Sequence, residues 1–140
     1  MGILIDSSVF IAAERGRLSL TGHLTGREQE PVVLSALTAS ELLHGVHRAA
    51  SPERRVQRER FVEAILARFP VVEFGLEAAR VHARLWAEML TRGEMAGAHD
   101  LIIGATAVAI DFQVATVNAR DFHRIPGVRA EVWGPPKGRR

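Results

Sequence analysis

Apolar and polar positions along this chain fall into short blocks that alternate between a strand-like and a helix-like period. Gly2 to Ile5 is a continuous apolar run closed by Asp6, the pattern of a short strand buried on both faces of a parallel sheet. Ser7 to Glu14 reads as a helix, with Asp6 or Ser7 available as its cap. After a polar stretch to Pro31, Val32 to Ser35 predicts a second strand, and Thr38-Ala39-Ser40-Glu41 opens a helix that carries Leu42, Leu43 and Val46. Ser51-Pro52-Glu53 combines a capping serine, a first-turn proline and an early acid, so a further helix is predicted to run to about Phe69 and stop before Pro70. Val71 to Phe74 predicts a third strand. From Leu76 to Leu90 the positions Leu76, Ala79, Ala83, Trp86 and Leu90 share one helical stripe and are expected to pack as core or as a dimer interface. Gly93 to Gly97 is a small-residue break. Leu101 to Ile110 is apolar all round and too long for an ordinary strand, which predicts a buried helix with Asp100 in its first turn. Val114 to Val117 predicts a last strand, ending at Asn118.

Strands alternating with helices imply an α/β fold in three layers, a central, mostly parallel sheet flanked by helices. The 140 residues fit one domain, expected over residues 1–133 with a flexible basic tail over 134–140, and show no internal repeat. The longest apolar stretch is far shorter than the roughly 20 residues that span a bilayer, so no membrane partner is expected. The opening residues lack the basic flank of a secretory signal and there are no cysteines, which points to the cytoplasm and excludes thiolate metal sites and cysteine nucleophiles. The pI of about 10.3 suggests nucleic acid, but 18 basic and 16 acidic residues leave a net charge of only +2. Without Cys or Tyr little titrates between histidine and arginine, and a small basic excess moves the neutral point far upward.

The chemistry is carried by acids. In open α/β sheets the ligand crevice lies beyond the carboxyl ends of the strands, where strand order reverses. Asp6 and Asn118 close two strands, and Glu41 and Asp100 begin helices that can follow strands into the same rim. Acids held together oppose one another's ionisation unless a cation neutralises them, and Mg²⁺ accepts a few carboxylates while keeping room for substrate phosphate. Each acid alone has a structural reading: Asp6, Asp100 and Asp121 as helix caps, and Thr38-x-x-Glu41 as a capping box. The argument for chemistry rests on the set.

Four segments make up that set: Asp6-Ser7-Ser8-Val9-Phe10-Ile11, Ser40-Glu41-Leu42-Leu43-His44-Gly45, His99-Asp100-Leu101-Ile102-Ile103-Gly104-Ala105-Thr106-Ala107 and Thr116-Val117-Asn118-Ala119-Arg120-Asp121-Phe122. In order and spacing they resemble the blocks of PIN domains, among them the VapC-type toxins of toxin–antitoxin pairs, over nearly the whole chain. The resemblance implies a PIN-like fold and a Mg²⁺- or Mn²⁺-dependent endoribonuclease, usually a homodimer, held inactive by a cognate antitoxin. It implies Asp6 and Asp100 as principal metal ligands, Glu41 as the acid that completes the site or holds metal-bound water, and, because Asn118 is an amide, either Asp121 as the fourth carboxylate or none. It further implies that Ser7 and Thr116 line the site through hydroxyl hydrogen bonds, and that water attacks a transfer or ribosomal RNA loop to leave a 5′-phosphate.

Arg48, Arg54, Arg55, Arg58 and Arg60 form the densest basic stretch, suited to an RNA backbone or an acidic antitoxin, or else a solvated helix face interleaved with Glu53 and Glu59. Glu41-x-x-His44 matches half of a di-iron bundle motif whose second copy is absent, His44 and His47 read as an exposed pair, and His99 has no assignable role. Other readings are an RNA-processing PIN nuclease and a non-catalytic nucleic-acid-binding module whose acids are caps. A receiver-type phosphoacceptor needs a late lysine, and Lys137 in the tail is the only one.

Overall fold

In a computed structural model that describes residues 1–134, five strands form one parallel sheet: β1 (Gly2–Ile5), β2 (Val32–Ser35), β3 (Val71–Val72), β4 (Phe112–Thr116) and β5 (Ala130–Val132). The seven helices among these residues are α1 (Ser7–Glu14), α2 (Leu20–Leu24), α3 (Ala36–His47), α4 (Pro52–Arg68), α5 (Leu76–Arg92), α6 (Ala98–Ile110) and α7 (Arg120–His123). The tail expected at 134–140 lies, from residue 135 on, outside the described residues.

Strand order is β3-β2-β1-β4-β5. The chain leaves β1 in one direction to build β2 and β3, then returns to the other side of β1 for β4 and β5. Order therefore reverses between β1 and β4, which pair from Gly2↔Phe112 to Ile5↔Ala115. A crevice is expected beyond Ile5 and Thr116, at the carboxyl ends of these two central strands.

Alternation along the strands builds the layers. Ile3, Ile5, Leu34 and Ala115 face one way and pack with Phe10 of α1, Val46 of α3 and Ile65 of α4. Leu4, Val33 and Val114 face the other way, onto Leu85 of α5 and Ile103 of α6. The N-cap of α4 is as expected, with the Ser51 hydroxyl accepting from the Arg54 amide at 3.2 Å.

The capping-box expectation fails, and so does the core alternative for the α5 stripe. The helix after β2 begins at Ala36 and is capped by Ser35, whose Oγ accepts from the Thr38 amide at 3.1 Å, so the Thr38–Glu41 capping box does not form and Glu41 sits in the second turn. On α5 the stripe expected to pack is largely on the outside: Leu76, Trp86 and Leu90 are 68%, 54% and 63% exposed, while Ala78, Leu85 and Met89 face the sheet. Both faces of this helix are apolar, and periodicity alone does not say which one meets the sheet. Strand β5 and helices α2 and α7 have three, five and four residues and carry little periodic signal to read.

Candidate functional site

Asp6 follows directly on β1 and occupies the N-cap position of α1 in extended conformation, yet its side chain makes no cap bond. Oδ2 accepts instead from Ser8 Oγ at 2.6 Å and from Thr116 Oγ1 at 3.1 Å, and the two hydroxyls lie 3.1 Å apart. Ser8 Oγ also accepts from the Val117 amide at 3.2 Å, tying α1 to the end of β4. Thr116 therefore hydrogen-bonds Asp6 from the end of β4. Ser7 makes no side-chain hydrogen bond in the described structure: one residue on, the helix has turned by about 100°, and Ser8 holds the position. A hydroxyl two residues after an acid at a strand end is the signal that could have found it.

The Asp6 carboxyl is buried, and this burial pushes its pKa up against the pull of the two hydroxyl bonds, with the charge of Glu41 adding to the rise. Asp100, in the first turn of α6, is pushed up to about 6, first by burial and then by the charges of Asp6, Asp121 and Glu41, with His99 acting in the opposite sense. Asp100 thus feels the charges of Asp6 at the end of β1, Glu41 on α3 and Asp121 on α7. Asp100 accepts no hydrogen bond from the described residues, and Gly97 caps α6 without a side chain.

Glu41 reaches the site from α3. Its Oε2 accepts from His99 Nδ1 at 2.8 Å, and its Oε1 is buried without a hydrogen-bond partner. Asp121 lies in the first turn of α7 without capping it, half-exposed, with Oδ1 3.8 Å from Arg124 Nη1. Asn118 is engaged locally: Oδ1 accepts from the Arg120 amide at 3.1 Å and closes the turn into α7. The capping reading holds for none of Asp6, Glu41, Asp100 and Asp121: α1, α6 and α7 have no side-chain cap bond, and α3 is capped by Ser35.

Among the described residues no three His, Asp or Glu side chains are gathered as tightly as a closed metal-ligand cluster. The donors nevertheless suit a hard divalent cation. All are carboxylates, they repel one another, and one buried oxygen, Oε1 of Glu41, has no partner to satisfy it.

The basic stretch lies elsewhere. Arg58 bridges Glu14 at the end of α1 (3.2 Å) and the Gly45 carbonyl of α3 (3.2 Å), about 12 Å along α1 from Asp6 by helix rise. Arg48, Arg54 and Arg55 are exposed, with no carboxylate partner among the described residues, and Arg55 Nη2 lies 3.3 Å from His47 Nδ1.

Carboxylates that interact around Asp100 at the switch point of a five-stranded parallel sheet mark a class, and the PIN-domain family model matches residues 3–128, so the chain belongs to the PIN-domain family. Within that family its relatives include a protein named ribonuclease VapC from Rickettsia bellii, 32% identical over 126 residues, covering 90% of this chain and 92% of that protein. A second, named tRNA(fMet)-specific endonuclease VapC, from Salmonella typhimurium, is 33% identical and covers 71% of this chain and 74% of that one. Among solved structures, VapBC-5 from Mycobacterium tuberculosis, described as a member of the VapBC family of toxin–antitoxin systems, superimposes with a TM-score of 0.72 at 28% identity, covering 96% of this chain and 98% of that one. No helix among the described residues is long and apolar enough to cross a membrane.

Proposed function

We propose that this chain is a metal-dependent endoribonuclease and the toxin of a type II toxin–antitoxin pair, cutting a structured RNA such as a transfer or ribosomal RNA loop. The observation that carries the chemistry is the convergence of Asp6, Glu41 and Asp100 from three separate elements, with one buried carboxylate oxygen unpartnered. The ribonuclease and endonuclease names of relatives at 32% and 33% identity support the substrate class. The toxin–antitoxin description of the structural neighbour at 28% identity supports the partner.

Asp6, Asp100 and Glu41 would hold Mg²⁺ or Mn²⁺, with the half-exposed Asp121 of α7 as a fourth carboxylate. Such an ion would supply Lewis acidity, lowering the pKa of water and offsetting charge on a scissile phosphate, chemistry that would favour water over the RNA's 2′-hydroxyl and a 5′-phosphate product. The chain's own residues prepare the place. Ser8 and Thr116 orient Asp6 through Oδ2, burial keeps competing water from Asp6, and Asp100 presents its carboxylate from the first turn of α6, where the helix dipole favours negative charge. The test is cleavage of RNA by the purified protein with and without a chelator, with Asp100→Asn as control. Cleavage that survives chelation, or products ending in a cyclic phosphate, contradicts the reading.

Two surfaces accommodate partners. Trp86, Leu90 and Met95 stand exposed around a groove of about 450 Å³ between α5 and α6, and an apolar patch of this kind on a small chain suits a second copy in a homodimer. Along α4, Arg54, Gln57, Arg58, Phe61, Ile65 and Arg68 recur at helical spacing and wall two adjoining clefts against α1 and α2, polar at one end and apolar at the other. Lying a helix length from Asp6, this wall fits an antitoxin segment with acidic and apolar side chains better than it fits the scissile RNA. Arg48 and Arg55 extend the same basic surface.

A further inference from the structure

The only hydrogen bond that holds the Glu41 carboxylate among the described residues comes from His99, a residue to which the sequence assigns nothing. The two side chains come from different helices, α3 and α6, and meet at 2.8 Å. A carboxylate can only accept, so Nδ1 carries the proton in this bond and the ring is fixed with Nε2 turned to the opposite edge. The bond falls on Oε2 alone, and Oε1 is buried and unpartnered. One oxygen is tethered and the other is kept for something else.

Glutamate is a poor ligand unless held. Its three rotatable bonds make ordering it cost up to about 2 kcal/mol, and no α3 side chain hydrogen-bonds Glu41, although Thr38 and His44 lie one turn away. His99, by contrast, is 60% exposed at its side chain, so the core gains little from its ring. An exposed ring that contributes little to packing, while making the one hydrogen bond a partly buried acid has among the described residues, is placed for orientation rather than for stability.

We propose that His99 is a positioning residue: its Nδ1–H fixes Glu41 Oε2 so that Oε1 is presented to the divalent cation shared with Asp6 and Asp100. This rests on the metal-site reading above. Partners that orient metal-binding side chains typically change metal affinity by about 10- to 100-fold when removed.

The test measures Mn²⁺ binding to the full chain by the loss of free-ion electron paramagnetic resonance, beside thermal melting and RNA cleavage. His99→Phe keeps the ring without the donor. His99→Asn returns an N–H at the same number of bonds from Cα as Nδ1. The expected result is at least about tenfold weaker Mn²⁺ binding for His99→Phe, recovery to within about threefold for His99→Asn, and unchanged melting for both. Native-like Mn²⁺ binding by His99→Phe, or equal loss in both variants, overturns the assignment. Asp100→Asn separates the two levels: if it abolishes binding while His99→Phe does not weaken it, only the role of His99 fails, and if native protein and Asp100→Asn bind Mn²⁺ alike, the metal site itself fails.

Discussion

Single side chains decide whether the acid cluster is a site or a set of caps. Asp100 has its folded-state pKa raised to about 6, so the folded protein keeps this proton to higher pH than the unfolded chain does. Its contribution to stability is therefore full below the unfolded value near 4 and is lost as pH rises through about 6. Metal-free protein should lose on the order of 1 kcal/mol from this group over that window, after allowance for solvent screening. In Asp100→Asn this loss should vanish, leaving a variant no less stable than the native chain at pH 7 in chelator, as urea unfolding at two pH values will show. A cap would behave in the opposite way, costing about 0.5–2 kcal/mol on removal. Ser8→Ala should cost about 1–2 kcal/mol and impair cleavage, since it leaves buried Asp6 with one hydroxyl fewer, whereas Ser7→Ala should stay within about 0.5 kcal/mol. Equal effects at the two serines would contradict the geometry around Asp6.

Elements show where the sequence is legible and where it is not. Continuous apolar runs gave β1 and β2 their ends, because a strand buried on both faces has no polar position until it leaves the sheet. Ser51-Pro52 marks α4 to the residue, since capping chemistry is local. Helix α5 carries two apolar stripes, Leu76, Trp86 and Leu90 beside Ala78, Leu85 and Met89, and only tertiary packing chooses which of them is core. The two stripes make opposite predictions. Leu85→Ala should destabilise the fold by about 2–5 kcal/mol, while Trp86→Glu should leave melting nearly unchanged and shift a dimer to monomer in sedimentation. A monomeric native chain, or a Trp86→Glu variant that stays dimeric, would remove the homodimer face proposed for α5 and α6.

For the whole molecule, the topology explains why residues 110 positions apart meet. Reversal of strand order between β1 and β4 brings Asp6 beside Thr116, and α3 and α6 then place Glu41 and Asp100 over the same strand ends. Asp6 and Asp100 were legible from their block positions. The partnership of Glu41 with His99 was not, because it depends on how two helices cross and leaves no local pattern in either segment. Partner recognition belongs to this scale too. Phe61→Asp on the α4 wall should abolish capture of the cognate antitoxin in co-expression while RNA cleavage persists, and undiminished capture would place the antitoxin elsewhere. The account as a whole stands or falls on RNA ends mapped after inducible expression in a bacterial host. It predicts growth arrest with new 5′-phosphate ends at discrete positions in a structured RNA, all absent with Asp100→Asn. New ends that persist in that variant, or none from the native chain, would contradict it.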